Sequence, residues 1–540
     1  MKITSGRPYN YLLCKRDAPT DSILHRDGYN NASTFSDGYS ILRTRMAGAE
    51  STILTAASGT HALSIWVFLR LLGLIYLSAF LSLAVQIKGL IGSRGILPAA
   101  EFFAKLKRFG MGTFHRDPTV FWISSSDNFL VAVPWIGAVL SMLLVIGVAP
   151  MVMLIVLWIS FLSLFTICRI FLGYQWDVLL LETGFLAIFL APLEWLPHFP
   201  LKTGPSTIIL WLLWWLLFRL MFSSGLIKLN SGDRTWQNLT ALCVHYQTQP
   251  LPTPLAWQAY QLPRWFHQVS TAIMFAIELG APFLIFGPQW ARNTAAILFI
   301  VLMILIELTG NYAFFNLLAI ALSVLLVDDK TLAAIFRWFS IDVPSSVVPC
   351  PAIMNWIAAG VAALILVLSL LPITRLFQAQ IHWPRWLESF FERFEPFRLV
   401  NSYGLFSVMT IERPEIIVEG SDDANTWHAY EFKWKPGDVK RPSRFIAPHQ
   451  PRLDWQMWFA ALGYYQNHPW VRSFLIRLLE GSPDVLSLVK SNPFQDKPPR
   501  YVRCVLYDYR FTNRAEHRAT KAYWKAERRG VYCPIIELNQ

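Results

Sequence analysis

The stretch "GYQWDVLLLETGFLAIFLAP" (173–192) decides how this chain is read. It is apolar over the length of a membrane helix, yet it carries Asp177 and Glu182. A carboxylate at the centre of a bilayer costs about 2.5–3.5 kcal/mol on insertion scales, so such residues face a bundle interior, pair, or line a cavity. Asp177 opens the run, in a helix's first turn, where the macrodipole favours a negative charge. Glu182 lies five residues on, about 7.5 Å deeper and turned by roughly 140°. The two acids do not share a face and are poor candidates for a paired acid/base site.

Composition widens this reading to the whole molecule. Of 540 residues, 54% are hydrophobic and only 15% charged, against about a quarter charged in soluble domains. This is a multi-pass membrane protein with a soluble part attached. The formal net charge of +12 reflects surface and juxtamembrane Lys and Arg, and no nucleic-acid motif accompanies it. Cys14, Cys168, Cys243, Cys350, Cys504 and Cys533 form no C-x-x-C pair. Neither a zinc site nor a dense disulfide framework is indicated, and a single bridge such as Cys504–Cys533 stays open. His245, His267 and His428 lack ligand-spaced companions, so no metal and no cofactor are expected. Residues 1–60 read as a disordered polar tail without the apolar core of a signal peptide. An over-extended start, with Met46 as initiator, is the alternative.

Apolar runs of spanning length lie near 62–87, 128–148, 150–171, 177–195, 206–227, 269–287, 294–309, 313–327 and 355–372. About 20 such residues cross a bilayer. The runs at 294–309 and 313–327 are short, so a bundle of about eight or nine spans is expected over 61–372. Its long loops are 88–127 and 228–268. Residues 373–400 read as an amphipathic connector on the membrane surface. Residues 401–540 read as a soluble α+β domain with an antiparallel sheet. There "IIVEGSDDANTWHAYEFKWKPGD" suggests a hairpin, "RYVRCVLYDYRFT" another strand and "RLDWQMWFAALGYYQ" a helix. Nine spans would place both long loops, residues 172–176 and everything after 371 on one side of the membrane. The loop 88–127 alone carries Lys88, Arg94, Lys105, Lys107, Arg108 and Arg116, and the positive-inside rule assigns such a side to the cytoplasm.

No nucleophile elbow, zinc-protease or phosphate-loop motif occurs. The chemistry-bearing residues are the membrane-embedded charges Asp177, Glu182, Arg219, Lys228, Glu278 and Glu307, which converge on the loop-bearing half of the bundle. An internal ion-pair set, with Glu182 on Arg219, and a polar cavity both fit them. The loop 228–268 is rich in aromatics and proline, and long loops of that kind are often functional. Candidates for a contact surface, and for client binding if the resemblance described next holds, are Trp236, His245, Tyr246, Pro250, Pro252, Trp257, Trp427, Trp455 and Trp458.

The segments "GSRGILP", "QWDVLLLETGFLAIFLAP", "FRLMFSSGLIKL", "LTALCVHYQTQPLPTPLAW", "GNYAFFNLLAIALSVLLVDD", "YEFKWKPGD", "RLDWQMWFAA" and "NPF" followed by "PPRYVR" resemble the lipase maturation factor family over residues 71–538. The resemblance implies a membrane chaperone. Its partners would be a client lipase or other exported protein and the surrounding lipids, with self-association left open. It further implies the endoplasmic reticulum membrane in a eukaryote and the inner membrane in a bacterium. It also implies that the long loops and the C-terminal part face away from the cytoplasm, against the positive-inside count. We follow the resemblance. A remoter likeness joins "SGLIKLNSGDRTW" and "GSRGILP" to the vitamin K-dependent γ-carboxylase, where the matching G-x-x-K-L lysine implies a catalytic base. Carried over, that is Lys228, in a membrane enzyme with a lipid or quinone-like substrate. This is the alternative to a non-enzymatic folding factor.

Overall fold

A computed structural model describes residues 61–108, 110, 114–197, 204–337, 350–378 and 381–538. The N-terminal tail, residues 1–60, lies outside them. In chain order the helices of the bundle and its loops are α1 (Ala62–Ala84), α2 (Asp127–Ile146), α3 (Pro150–Cys168), α4 (Gln175–Leu190) and α5 (Thr207–Asn230). Then come α6 (Leu242–Thr248), α7 (Pro254–Tyr260), α8 (Arg264–Phe275), α9 (Gln289–Thr309), α10 (Phe315–Val324) and α11 (Ala352–Leu376).

Among the described residues six helices are long and apolar enough to cross a membrane, not eight or nine. They are α1, α2, α3 with its continuation to Leu172, α5, α9 and α11. The other apolar runs are shorter as helices for distinct reasons. α4 ends after 16 residues, where Ala191 leaves helical geometry ahead of Pro192. The run 269–287 is interrupted by a π-helical turn, Ala276–Gly280, which carries Glu278. α10 has 10 residues. An apolar run reports solvent, and neither the hydrogen-bond register inside it nor its length as one helix follows from that.

Close approach fixes the bundle. A Cβ on Gly137 of α2 would come within 2.5 Å of the Phe80 ring on α1, so only glycine admits this contact. At the far end Asp329 caps α1. Its carboxylate accepts from the amides of Ala62 (2.8 Å), Leu63 (2.9 Å) and Ser64 (3.2 Å), three of the groups a helix N-terminus leaves unsatisfied.

The amphipathic connector forms α12 (Arg385–Phe394), which buries Leu387 and Phe391. Beyond it β1 (Arg413–Ser421), β2 (His428–Ala429), β5 (Tyr501–Phe511) and β6 (Trp524–Glu537) make an antiparallel sheet of order β2-β1-β5-β6. A second pair joins β3 (Glu431–Phe432) and β4 (Val489–Ser491). The hairpin read from the sequence is short, Glu419↔Ala429 and Gly420↔His428. The main partner of β1 is β5, paired from Arg413↔Tyr509 to Ser421↔Tyr501. The helix α13 (Arg452–Ala461) packs on β1, and α14 (Pro469–Leu479) follows it. One continuous apolar core runs from α1 to Cys533, so the C-terminal part shares its interior with the bundle.

Candidate functional site

The polar residues of the molecule gather along the seam where the bundle meets the C-terminal part. The turn "GSRGILP" (92–98) is one element of it. The carbonyls of Arg94 and Gly95 accept from Ser482 (2.7 Å) and Arg477 (3.0 Å), which ties the end of α1 to the C-terminal part. The loops after α1, α3 and α5 and the C-terminal part therefore lie on one side of the bundle.

Asp177 sits at the third position of α4, and its carboxylate also receives the Tyr174 amide in a capping box. Arg452, at the start of α13, meets it with both guanidinium nitrogens, at 2.9 and 3.1 Å. Neither side chain is exposed. Arg452 also donates to the Phe171 carbonyl at 2.7 Å. Around this pair Trp176 donates to Gln450 at 2.8 Å, and the amides of Gln450 and Arg452 donate to Ser82 and Gln86 on and beside α1.

Glu182 is fully buried one and a half turns deeper. It pairs with Arg219 of α5. It also accepts from the Asn401 amide (2.9 Å), the Asn401 side chain (3.1 Å) and the Tyr403 hydroxyl (2.7 Å). Five residues of turn explain the division: the two acids point apart, one to α13 and one to the segment after the connector. Lys228 closes α5 and donates to both oxygens of Glu278, at 2.7 and 2.6 Å. Its ammonium also lies 5.4 Å from the centre of the Trp236 ring. The π turn around Glu278 adds a residue to one helical turn, and such insertions re-aim side chains at functional positions. Glu307 accepts from Asn316 at 2.6 Å.

The second half of the seam clamps the loop between α5 and α9. Arg413 of β1 donates to the carbonyls of Gln247 (2.8 Å), Gln249 and Pro250 (2.9 Å). Glu415 balances its charge at 2.7 Å and that of Lys435 at 2.9 Å. Asn311 bridges strand-like backbone: its amide donates to Leu251 (3.0 Å) and Arg444 (2.9 Å) carbonyls, and its oxygen accepts from Ile446 (2.7 Å) and Ala447 (3.1 Å) amides. Tyr312 donates to Gln249 at 2.7 Å and contacts His245 Nε2 at 3.0 Å. Burial, with the Lys228 cation second, lowers the His245 pKa to about 4, so this imidazole is neutral near pH 7.

Trp236, Tyr246, Pro250, Pro252, Trp455 and Trp458 are all buried in this seam. Trp236 donates to the Phe406 carbonyl and Trp458 to that of Thr248. His245 and Trp257 are half-buried, Trp257 donating to Thr512 at 3.0 Å. Trp427 is half-buried under Arg503, whose guanidinium lies 3.9 Å from the ring centre. Sequence reasoning missed Arg452, Asn401, Tyr403, Arg413, Glu415 and Asn311. Arg452, Asn401, Tyr403 and Asn311 lie far along the chain from their partners, and Arg413 with Glu415, two residues apart, grips the distant backbone at 247–250; a spacing pattern carries no signal for either.

Each buried carboxylate of the seam meets a cation or several donors. Breaking one such pair costs about 3–5 kcal/mol, while replacing a whole pair by apolar residues is often neutral, so the network specifies one arrangement more than it adds net stability. Among the described residues no three His, Cys, Asp or Glu side chains converge as a metal set. Lys228 is committed to Glu278, and the carboxylase-like alternative finds no support among the relatives below.

Residues 63–334 match the Lipase maturation factor transmembrane domain, and residues 399–534 match the Lipase maturation factor C-terminal domain. Lipase maturation factor 2 of Gallus gallus is 36% identical over 85% of this chain and 79% of its own length. Lipase maturation factor 1 of Bos taurus is 35% identical over 89% of this chain and 90% of its own. Lipase maturation factor 2 of Homo sapiens is 33% identical, with 87% and 82% covered. No solved structure matches. The two matched regions meet along the polar seam, and the protein is an integral membrane member of the lipase maturation factor family.

Proposed function

We propose that this protein assists client lipases, or other exported proteins, to reach an active fold, and that the C-terminal part presents the client-facing surface. Family membership supports the activity, and one surface feature supports the place. An open cavity of about 820 Å³ lies on the C-terminal part, walled by residues 409–412, 461–466, Leu506, Val531 and Tyr532. On its rim Ile411, Tyr464 and Val531 are 64%, 78% and 61% exposed. Large apolar side chains held in water at a cavity mouth are the chemistry that captures incompletely folded chains. The buried aromatics of loop 228–268 act one step back. They fix the loop under the sheet, so that the cavity has a rigid base.

The same reading takes the loop-bearing side as the non-cytoplasmic one. That is the lumen in a eukaryotic setting and the periplasmic face of the inner membrane in a bacterial one. It also takes α4, the α8 unit with its π turn, and α10 as further, shortened crossings. The observation behind this is that successive helix ends alternate between the Asp329 end and the seam. The exposed apolar faces, such as Val139 and Ile136 of α2, then meet lipid.

Co-expression of a dimeric lipase with the wild-type protein, with Tyr464→Asp and Val531→Asp, and with no factor tests the activity and the surface together. Lipase specific activity should rise with wild type and fall back with either variant, at unchanged variant abundance. Equal activity in all four samples refutes the function, and full activity with both variants refutes the surface. Alkaline phosphatase fused after residue 250 or after residue 540 should be active; inactivity at both points refutes the sidedness.

A further inference from the structure

Cys504 and Cys533 stand directly opposite one another across β5 and β6. Both are free thiols with no exposed surface, so both side chains leave the same face of the sheet, toward the core. Directly opposed residues on antiparallel strands hold their Cα atoms about 4.5–5.5 Å apart, inside the 4.4–6.8 Å window that a disulfide spans. The register shifts on both sides of the pair, between Val502 and Cys504 and again between Cys504 and Val505. Such bulges bend and twist the strand locally, which gives the two sulfurs freedom to close. The Cys533 thiol donates to the Pro534 carbonyl at 3.4 Å. The neighbouring Cys504 thiol holds the Cys533 thiol below its ordinary range against the opposing effect of burial.

The surroundings give the pair a route to solvent. Tyr465 and Tyr532 line the open cavity and meet ring to ring at 6.1 Å, and Cys533 follows Tyr532 directly in β6. A buried cysteine pair with no such neighbour would serve as small apolar filler; this one adjoins a wall residue of a solvent-open cavity.

We propose that Cys504 and Cys533 are a modification site: a dithiol that oxidises to a cross-strand disulfide by exchange with a small or protein disulfide, locking β5 to β6 under the cavity. The Cys533 thiolate attacks one sulfur of the incoming disulfide R–S–S–R. That bond breaks and one R–S⁻ leaves. Cys504, after losing its proton to R–S⁻ or water, attacks the Cys533 sulfur of the mixed disulfide and expels the second R–S⁻. Two thiols are oxidised, one external disulfide is reduced to two thiols, and two electrons pass outward. That the bond forms in cells rests on the sidedness proposed above, since disulfides persist on the non-cytoplasmic side. The chemistry itself does not rest on it.

The test uses the full-length protein purified in detergent under reducing conditions, then incubated with glutathione disulfide and alkylated in denaturant. Mass spectrometry should find one peptide pair joining residues 504 and 533. Reduction of the oxidised protein should lower Tm by about 3–4 °C, the size expected when a loop of this length loses its cross-link. Neither the linked peptide nor the Tm shift should appear in Cys504→Ser or Cys533→Ser. Quantitative alkylation of both cysteines after oxidant treatment, with no linked peptide, overturns the proposal. A second arm quenches intact cells in acid and alkylates their protein in denaturant, so that buried thiols react. A linked pair there supports both the site and the sidedness; a pair that links in detergent but is fully alkylated in cells refutes the sidedness alone.

Discussion

Arg452→Met and Asp177→Asn each strand one charge of a fully buried pair. The geometry sets the size of the effect. Both groups have no exposed side-chain surface, the contact is two-pronged at 2.9 and 3.1 Å, and no water layer separates them. Removing one partner of such a pair costs about 3–5 kcal/mol, because the other charge stays desolvated without compensation. Unfolding entropy near 2.1 cal/mol/K per residue over roughly 480 residues gives ~1 kcal/mol per degree, so each single variant should lose about 3–5 °C in Tm. The double variant removes both charges and should melt no lower than the worse single; simple addition would give about 6–10 °C. Intrinsic fluorescence of the detergent-purified protein reports this, since Trp176, next to Asp177, packs on Trp455 of α13 with ring centroids 4.9 Å apart. Limited proteolysis should show the C-terminal part released earlier in both singles. Singles within 1 °C of wild type, or a double variant that loses the full sum, would refute the view that this pair docks the C-terminal part on the bundle.

Three further outcomes follow from the seam. His245 and His449 have pKa values lowered by burial to about 4, against 6.5 in a free side chain. As pH falls the unfolded chain takes up these protons first, so stability is complete above about 6.5 and is lost progressively toward pH 4; a Tm series in His245→Gln should be flatter in that window than wild type. Glu182→Gln turns an acceptor of four hydrogen bonds from three residues into a group with its own amide hydrogens, and folded yield from membranes should fall severalfold; normal yield with normal melting would contradict its structural role. Asn311→Ala removes the side-chain partner of the Arg444 carbonyl and of the Ile446 and Ala447 amides, at about 1–3 kcal/mol for each group left unsatisfied, while the Leu251 carbonyl keeps the backbone amide of residue 311; amide hydrogen exchange across residues 444–447 should quicken.

Membrane class, the C-terminal sheet and the strand at 501–511 were legible because each has a period or a composition. Depth along a run of 1.5 Å per residue was also legible, and it separated Asp177 from Glu182 and aligned Glu182 with Arg219. The partner of Asp177 was not legible. Arg452 lies 275 residues away in a segment whose helical spacing says only that it is a helix. The aromatics of loop 228–268 were read as contact surface because their richness was visible and their burial was not; Arg413 and Asn311, which bury them, belong to other segments. β6 escaped notice because "WKAERRGVYCPIIE" alternates poorly, having charged residues along an outer edge where no further strand pairs.

The Asp329 carboxylate that receives the first amides of α1 carries a consequence for how the protein is made. Those amides are synthesised 267 residues before their acceptor. At about 5–20 residues per second the first helix waits roughly 13–53 s, already in the membrane, with its leading end open. Ribosomes halted short of codon 329 should therefore hold a first helix that insertion-site crosslinkers still reach, and chains released just beyond it should not.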